Sequence, residues 1–305
     1  MKSIELGTSN LNTSAISLGC MRMSGLTKAE AQHVIHNALD LGVNLFDHAD
    51  IYGRGLSEQI FADAIDMSPT IREEIILQSK CGIRKGQFDF SKQHIINSVE
   101  GSLKRLKTDY LDILLLHRPD TLVEPEEVAE AFAELKAAGK VKHFGVSNQN
   151  PGQIELLKKY LEEDLIINQL QFSLMHTPMI DAGFNVNMAH DKAIVRDNGI
   201  LEYCRLNNMT IQAWSPFQFG MMEGVFIGHK EFPELNQKLQ ELAAKYEVTD
   251  SAIAIAWILR HPAKIQPVVG TMNQQRLADI AKATEIKLTR EEWYDLYLAA
   301  GNKLP

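Results

Sequence analysis

The stretch DILLLHRPDTLVEPEEVAEAFAELKAAGKVKHFGVSN, from Asp112 to Asn148, contains one complete strand–helix–strand unit. Asp112–Leu116 is a short run dominated by branched apolar residues, and it stops at the ionisable His117. Pro125–Ala138 reads as a helix, with Gly139 after "LKAA" placed as its C-terminal cap. Lys142–Val146 is a second short run, and it stops at Ser147 and Asn148. Runs of this kind, bounded by polar residues, are expected of parallel strands covered on both faces.

The same alternation extends over nearly the whole chain. Six further runs, Ile16–Leu18, Asn44–Phe46, Ile75–Leu77, Ile167–Leu170, Thr210–Ala213 and Pro267–Gly270, bring the total to eight. Between them lie helical segments at Ser57–Asp66, Ser91–Leu106, Pro151–Leu161, Asp197–Asn207 and Gln274–Ala283. Thr27-Lys28-Ala29-Glu30 has capping-box spacing and opens a helix with Ala31, Val34, Ile35, Ala38 and Leu41 on one face. Thr289–Glu292 has the same spacing and starts an extra C-terminal helix. Eight strand–helix units predict an α/β fold, a (β/α)8 TIM barrel, as one domain over residues 1–305. Two additions are expected. Ile4–Leu6 and Leu11–Thr13 flank Gly7–Asn10 as a hairpin before the first barrel strand. Met175–Arg196 is a long insertion after the sixth strand, expected as a wall of the substrate site.

Bulk composition fits this fold and excludes other classes. The chain has 305 residues, and a barrel of this kind needs about 250. A hydrophobic fraction of 45%, a charged fraction of 23% and a net charge of -8 describe an ordinary globular protein without a nucleic-acid surface. Cys20, Cys81 and Cys204 are odd in number and far apart, which fits a reducing compartment. Neither a secretory leader nor a membrane span is legible, so a cytoplasmic location is expected.

In a barrel of this class the chemistry sits at the carboxyl ends of the strands. Asp47 ends the second run and Tyr52 follows in its loop; Lys80 ends the third and His117 the fourth. Singly, each has an ordinary reading: a turn cap, a packed ring, a solvated charge, a core imidazole. Together they lie on consecutive strands and face one cavity. A phenol titrates near 10, too high for ready proton exchange. The Lys80 ammonium is expected to lower that value, with Asp47 keeping the lysine charged. A neutral His117 could then polarise a carbonyl while Tyr52 protonates the forming alkoxide. No side chain supplies a hydride, so a nicotinamide cofactor is implied. No GxGxxG follows a strand, and no metal set is expected, since His33 and His36 share a helical face without a third ligand.

At these residues the sequence resembles the aldo-keto reductase superfamily, particularly its bacterial oxidoreductases of unassigned substrate. The motifs are DHADIYG (Asp47–Gly53), Lys80, LLLHRPD (Leu114–Asp120), FGVSN (Phe144–Asn148), Gln169, AWSPF (Ala213–Phe217) and GTMNQQR (Gly270–Arg276). The resemblance implies a carbonyl reductase with Tyr52 as general acid and Asp47, Lys80 and His117 completing a tetrad. It further implies Ser147, Asn148 and Gln169 at the nicotinamide carboxamide, and Trp214 stacked on its ring where many members have tyrosine. Gly19, Cys20 and Met21 would line the ribose, and Ser215, Pro216 and Phe217 the pyrophosphate. Many members carry lysine where Gly270 stands; Thr271, Asn273, Gln274 and Arg276 remain around the adenosine phosphate, with Asp279 as a further adenine contact. NADP(H) is the expected cofactor, with NAD(H) as an alternative, and the partner is a small carbonyl substrate. The substrate walls would come from Met21–Gly25, Met175–Arg196 and Gln218–His229. Two other readings stay open here: a Schiff-base lyase using Lys80 as nucleophile, and a cofactor-binding regulatory subunit with slow turnover.

Overall fold

The computed structural model describes all 305 residues. Strands β1 (Ser17–Gly19), β2 (Leu45–Asp47), β3 (Ile76–Cys81), β4 (Leu111–Leu116), β5 (Val141–Ser147), β6 (Leu165–Gln171), β7 (Thr210–Trp214) and β8 (Gln266–Val269) close into a barrel in chain order. Every neighbouring pair is parallel. Every residue of β2, β3 and β4 is buried, as runs without polar alternation require.

Local signals set the helix ends. Thr27 and Glu30 form a reciprocal capping box, as do Thr289 and Glu292. Asn150 and Gln153 form a third, which sequence reading passed over. Two helices between β7 and β8, Pro233–Tyr246 and Asp250–Leu259, were also not anticipated. The second is apolar all round because seven consecutive residues, Ala252–Ile258, are buried, so no helical period is visible in it. Its Trp257 lies between Phe172 and Trp293, and Trp293 belongs to the C-terminal helix Arg290–Ala299.

The N-terminal hairpin, Ser3–Glu5 paired with Asn12–Ser14, seals the amino end of the barrel. Leu6 packs with Leu45, Ile76, Ile113 and Ile166 near the starts of their strands. Gly7 has φ +52°, and a Cβ there would sit 2.6 Å from the Ile166 carbonyl oxygen, so only glycine fits this close approach.

The insertion Met175–Arg196 does not form a wall of the substrate cavity; none of its residues lines it. It folds outward as a short helix, Pro178–Phe184, and packs on the C-terminal helix instead. Tyr297 Oη donates to Asp181 Oδ1 at 2.6 Å, and Phe184 packs against Tyr294 and Tyr297. Long-loop reasoning failed because the aromatic face of the added C-terminal helix, with Trp293 and Tyr297 buried, is an equally good docking surface. No helix is long and apolar enough to cross a membrane.

Candidate active site

The carboxyl ends of the strands surround a cavity of about 770 Å³. Asp47 is the last residue of β2, Lys80 the penultimate residue of β3, and His117 follows β4 directly. Tyr52 is brought over the mouth by a turn in which Gly53, Arg54 and Gly55 are all left-handed. At Gly53 a Cβ would lie 2.4 Å from Ser24 Cβ, so both its conformation and its space require glycine beside the tyrosine.

Lys80 Nζ donates to Asp47 Oδ1 at 2.6 Å, to the His48 carbonyl at 2.8 Å and to Tyr52 Oη at 3.3 Å. All three ammonium hydrogens are thereby used. Burial opposes the lysine's charge, but Asp47 and Tyr52 outweigh it, and its pKa is raised. A fully buried, charged and committed lysine is the opposite of what Schiff-base chemistry needs.

The phenol departs from expectation. Burial raises the pKa of Tyr52, and the nearby Lys80 charge only partly offsets this. Tyr52 therefore stays protonated through neutral pH, and the lysine acts on the phenolate that proton loss would create. Burial first, then the charges of Lys80 and Arg118, hold His117 well below its ordinary value, so its imidazole is neutral. Its Nδ1 is buried without a partner, which leaves Nε2 as the nitrogen reachable from the cavity.

Beneath the rim runs a column of four buried glutamines, of which only Gln169 was singled out from the sequence. Gln78 and Gln169 both donate through Nε2 to Asp47 Oδ1, at 2.5 and 3.1 Å. Both also donate to Gln212 Oε1, at 2.8 and 2.9 Å. Gln212 Nε2 donates to Gln78 Oε1 at 3.1 Å and Gln266 Oε1 at 2.9 Å. Gln266 Nε2 ends the column on Thr13 Oγ1 and the Ser14 carbonyl of the hairpin. The floor carbonyl and the Asp47 carboxylate are both acceptors, so Gln78 and Gln169 donate toward the rim, Gln266 donates toward the floor, and a flipped end amide would set oxygen against oxygen. The legible signal is a lone glutamine in each of three buried strands: ILQSK, TIQAW and IQPVV.

The other end of the cavity contains most of the remaining expected residues. Trp214 Nε1 donates to Asn148 Oδ1 at 3.0 Å, Asn148 Nδ2 to Ser147 Oγ at 2.7 Å, and Ser147 Oγ to the Gln169 carbonyl at 2.9 Å. This chain fixes the indole plane. Asn148 and Ser215 are both left-handed, a conformation non-glycine residues keep where surrounding structure imposes it. Gly19, Met21, Pro216, Phe217, Gly270, Thr271 and Arg276 line the cavity too. Gly19 and Gly270 face each other across β1 and β8, with an added Cβ at Gly270 4.0 Å from the Gly19 oxygen, so the wall there is bare backbone. Cys20 is instead turned into the core and completely buried, while Asn273 and Gln274 are exposed outside the cavity. Asn273 Oδ1 caps the helix Gln274–Ala281 by accepting from the Arg276 N–H at 2.8 Å. Arg22, not singled out beforehand, also lines the cavity and donates to the Gly270 carbonyl at 3.3 Å.

His48, between Asp47 and the turn, is completely buried, and neither ring nitrogen has a partner. Burial, then the Lys80 charge, lowers its pKa from 6.5 to about 3. The unfolded chain takes up a proton near 6.5 that the fold refuses, so stability is full above that pH and declines as pH falls toward 3. Between pH 6.5 and 4.5 the loss is ~2 kcal/mol. Urea unfolding of His48→Leu should show this acid slope flattened relative to wild type; an unchanged slope would place the acid sensitivity elsewhere.

A closed parallel barrel thus brings a tyrosine, a lysine, an aspartate and a histidine together at its carboxyl rim, around one cavity. Residues 4–297 match the aldo/keto reductase family, and the chain belongs to that family of oxidoreductases. It is 35% identical to the uncharacterised oxidoreductase YcsN of Bacillus subtilis (strain 168), over 100% of each chain. It is 34% identical to a 6-dehydroglucose reductase of Agrobacterium fabrum, over 96% of each. A solved thermostable aldo-keto reductase, in complex with the inhibitor epalrestat, superposes with a TM-score of 0.78 at 26% identity, covering 98% of this chain and 100% of its own.

Proposed function

We propose that the protein reduces small aldehydes or ketones to alcohols with NADP(H) in the cytoplasm, with Tyr52 as proton donor. One observation carries the reading: a protonated phenol 3.3 Å from an ammonium that is itself locked on a carboxylate at 2.6 Å, opening into the cavity. A substrate oxygen at the rim meets the Tyr52 hydroxyl and the neutral His117. As the carbonyl gains electrons, His117 donates a hydrogen bond to its oxygen and Tyr52 gives it a proton. The phenolate left behind is stabilised by Lys80, which Asp47 holds in place, and is reprotonated from water.

The cleft suits a nicotinamide dinucleotide, which when bound supplies the hydride. Both Gln169 amide hydrogens are committed, leaving Oε1 to accept from a carboxamide, and Trp214 offers a fixed ring face. The bare backbone at Gly19 and Gly270 admits close approach. Arg276 and Arg22 flank that point and would meet a 2′-phosphate, with Arg22 compensating for the lysine missing at Gly270.

A panel of aldehydes and ketones assayed with NADPH and NADH tests the activity; no cofactor oxidation with any of them would defeat the reading. Arg276→Ala should weaken NADPH binding about tenfold or more, the value of one charge-assisted hydrogen bond, with NADH affinity nearly unchanged in a fluorescence titration. Equal losses for both cofactors would remove Arg276 from the phosphate.

A further inference from the structure

The cavity contains one cation that neither the chain nor the expected cofactor neutralises. Arg118 follows His117 at the end of β4, lines the cavity with Tyr52 and His117, and is partly buried. Its guanidinium makes no ion pair and no hydrogen bond within the protein; it lies over the face of Trp214, 5.5 Å from the ring centroid. Burial opposes its charge, yet the only acidic side chain lining the cavity, Asp47, is already committed to Lys80. Arg22 and Arg276 stand at β1 and β8, and β4 is four strands away from β8 around an eight-stranded barrel. Arg118 therefore stands across the mouth from the two arginines at the phosphate end, on the side of the proton donor.

A guanidinium is always charged, weakly hydrated, and shaped to take two oxygens of a carboxylate or phosphate in parallel. Keeping one partly desolvated and unpaired is unfavourable unless an anion arrives to meet it. The carbonyl carbon must lie within reach of Tyr52, and Arg118 is the next residue after His117. The anion must accordingly belong to the substrate and lie a few bonds from the reacting carbonyl.

We propose that Arg118 is a specificity-determining residue and that the substrates are short oxo acids: aldehydes or ketones carrying a carboxylate or phosphate. This rests on the reductase reading above. The rest of the substrate end is apolar, with Ile51, Ile83, Met221, Met222 and Val225 around the mouth, and suits the short carbon chain between the two polar groups. A neutral aldehyde fills the same space but leaves the guanidinium unpaired.

The test compares matched pairs on the full chain with NADPH: 4-oxobutanoate against butanal for a carboxylate, and glyceraldehyde 3-phosphate against glyceraldehyde for a phosphate. In wild type at least one charged member should exceed its neutral partner in kcat/KM by about tenfold or more; the pair that does so identifies the anion. In Arg118→Met that preference should vanish through KM, with kcat/KM for the neutral partner within about threefold of wild type. Arg118→Lys should restore part of it. Binding of 4-hydroxybutanoate and glycerol 3-phosphate to the NADP-loaded protein by calorimetry reads the same site without turnover, and should be lost in Arg118→Met. Equal use of charged and neutral partners by wild type overturns the proposal. So does an Arg118→Met variant that keeps the preference, or one whose main defect is a raised KM for NADPH, which would make Arg118 a prop for Trp214. Absence of NADPH oxidation with all four carbonyls defeats the reductase reading instead; calorimetry then decides Arg118 alone, and anion binding lost in Arg118→Met supports the anion site while no binding overturns it.

Discussion

Tyr52→Phe should lose carbonyl reduction by about a thousandfold or more, the scale of a positioned proton donor, while binding NADPH as tightly as wild type. The substitution deletes one oxygen and leaves the ring, so packing against His117, at 6.0 Å between ring centroids, is retained. Stopped-flow NADPH oxidation and a fluorescence titration separate the two effects. Because Tyr52 is raised rather than lowered in pKa, the wild-type reductive rate should also stay flat across neutral pH instead of declining as the phenol ionises there. A Tyr52→Phe enzyme with wild-type turnover would transfer the acid role to another group, and His117 would be the candidate.

The second large effect should come from a residue that does not line the cavity. Gln212→Leu removes four hydrogen bonds from the barrel interior and strands Gln78 Oε1 and Gln266 Oε1 without donors. Each unsatisfied buried group costs about 1–3 kcal/mol, so unfolding in urea should register a loss of ~2–6 kcal/mol. Catalysis should suffer as well: with Gln78 and Gln169 released from Gln212, Asp47 loses its fixed orientation and Lys80 its alignment on Tyr52. The expected signature is kcat reduced about tenfold or more with a smaller rise in KM for NADPH, since Gln169 keeps its bond to Asp47 and the Arg22 and Arg276 end is untouched. A variant that is destabilised yet fully active would make the column structural only.

Much of this molecule was readable beforehand, for definite physical reasons. Strands buried on both faces must be short and apolar, so all eight declared themselves within a few residues. An ionisable residue closing such a run is costly unless it is used, which is why Asp47, Lys80 and His117 stood out. What escaped lay where periodicity or polarity is uninformative. Helix Asp250–Leu259 is buried all round and has no period. The glutamines of β3, β7 and β8 look like isolated polar intrusions until the closed barrel turns their side chains toward one axis. The sign of the Tyr52 shift escaped for a different reason: a sequence shows that a lysine is near, but not how completely both groups are removed from water. The insertion Met175–Arg196 was assigned to the wrong neighbour because loop length says nothing about direction.

The hairpin at the amino end gives the glutamine column a meaning for protein engineering. Barrel enzymes are often treated as a stable scaffold with interchangeable loops, so that a rim can be grafted from one barrel to another. Here the Asp47 carboxylate is connected, amide by amide, to Thr13 and Ser14 on the opposite face. The transferable unit is therefore the whole central shaft with its floor, and a rim transplanted without it would carry the right residues with nothing to aim them.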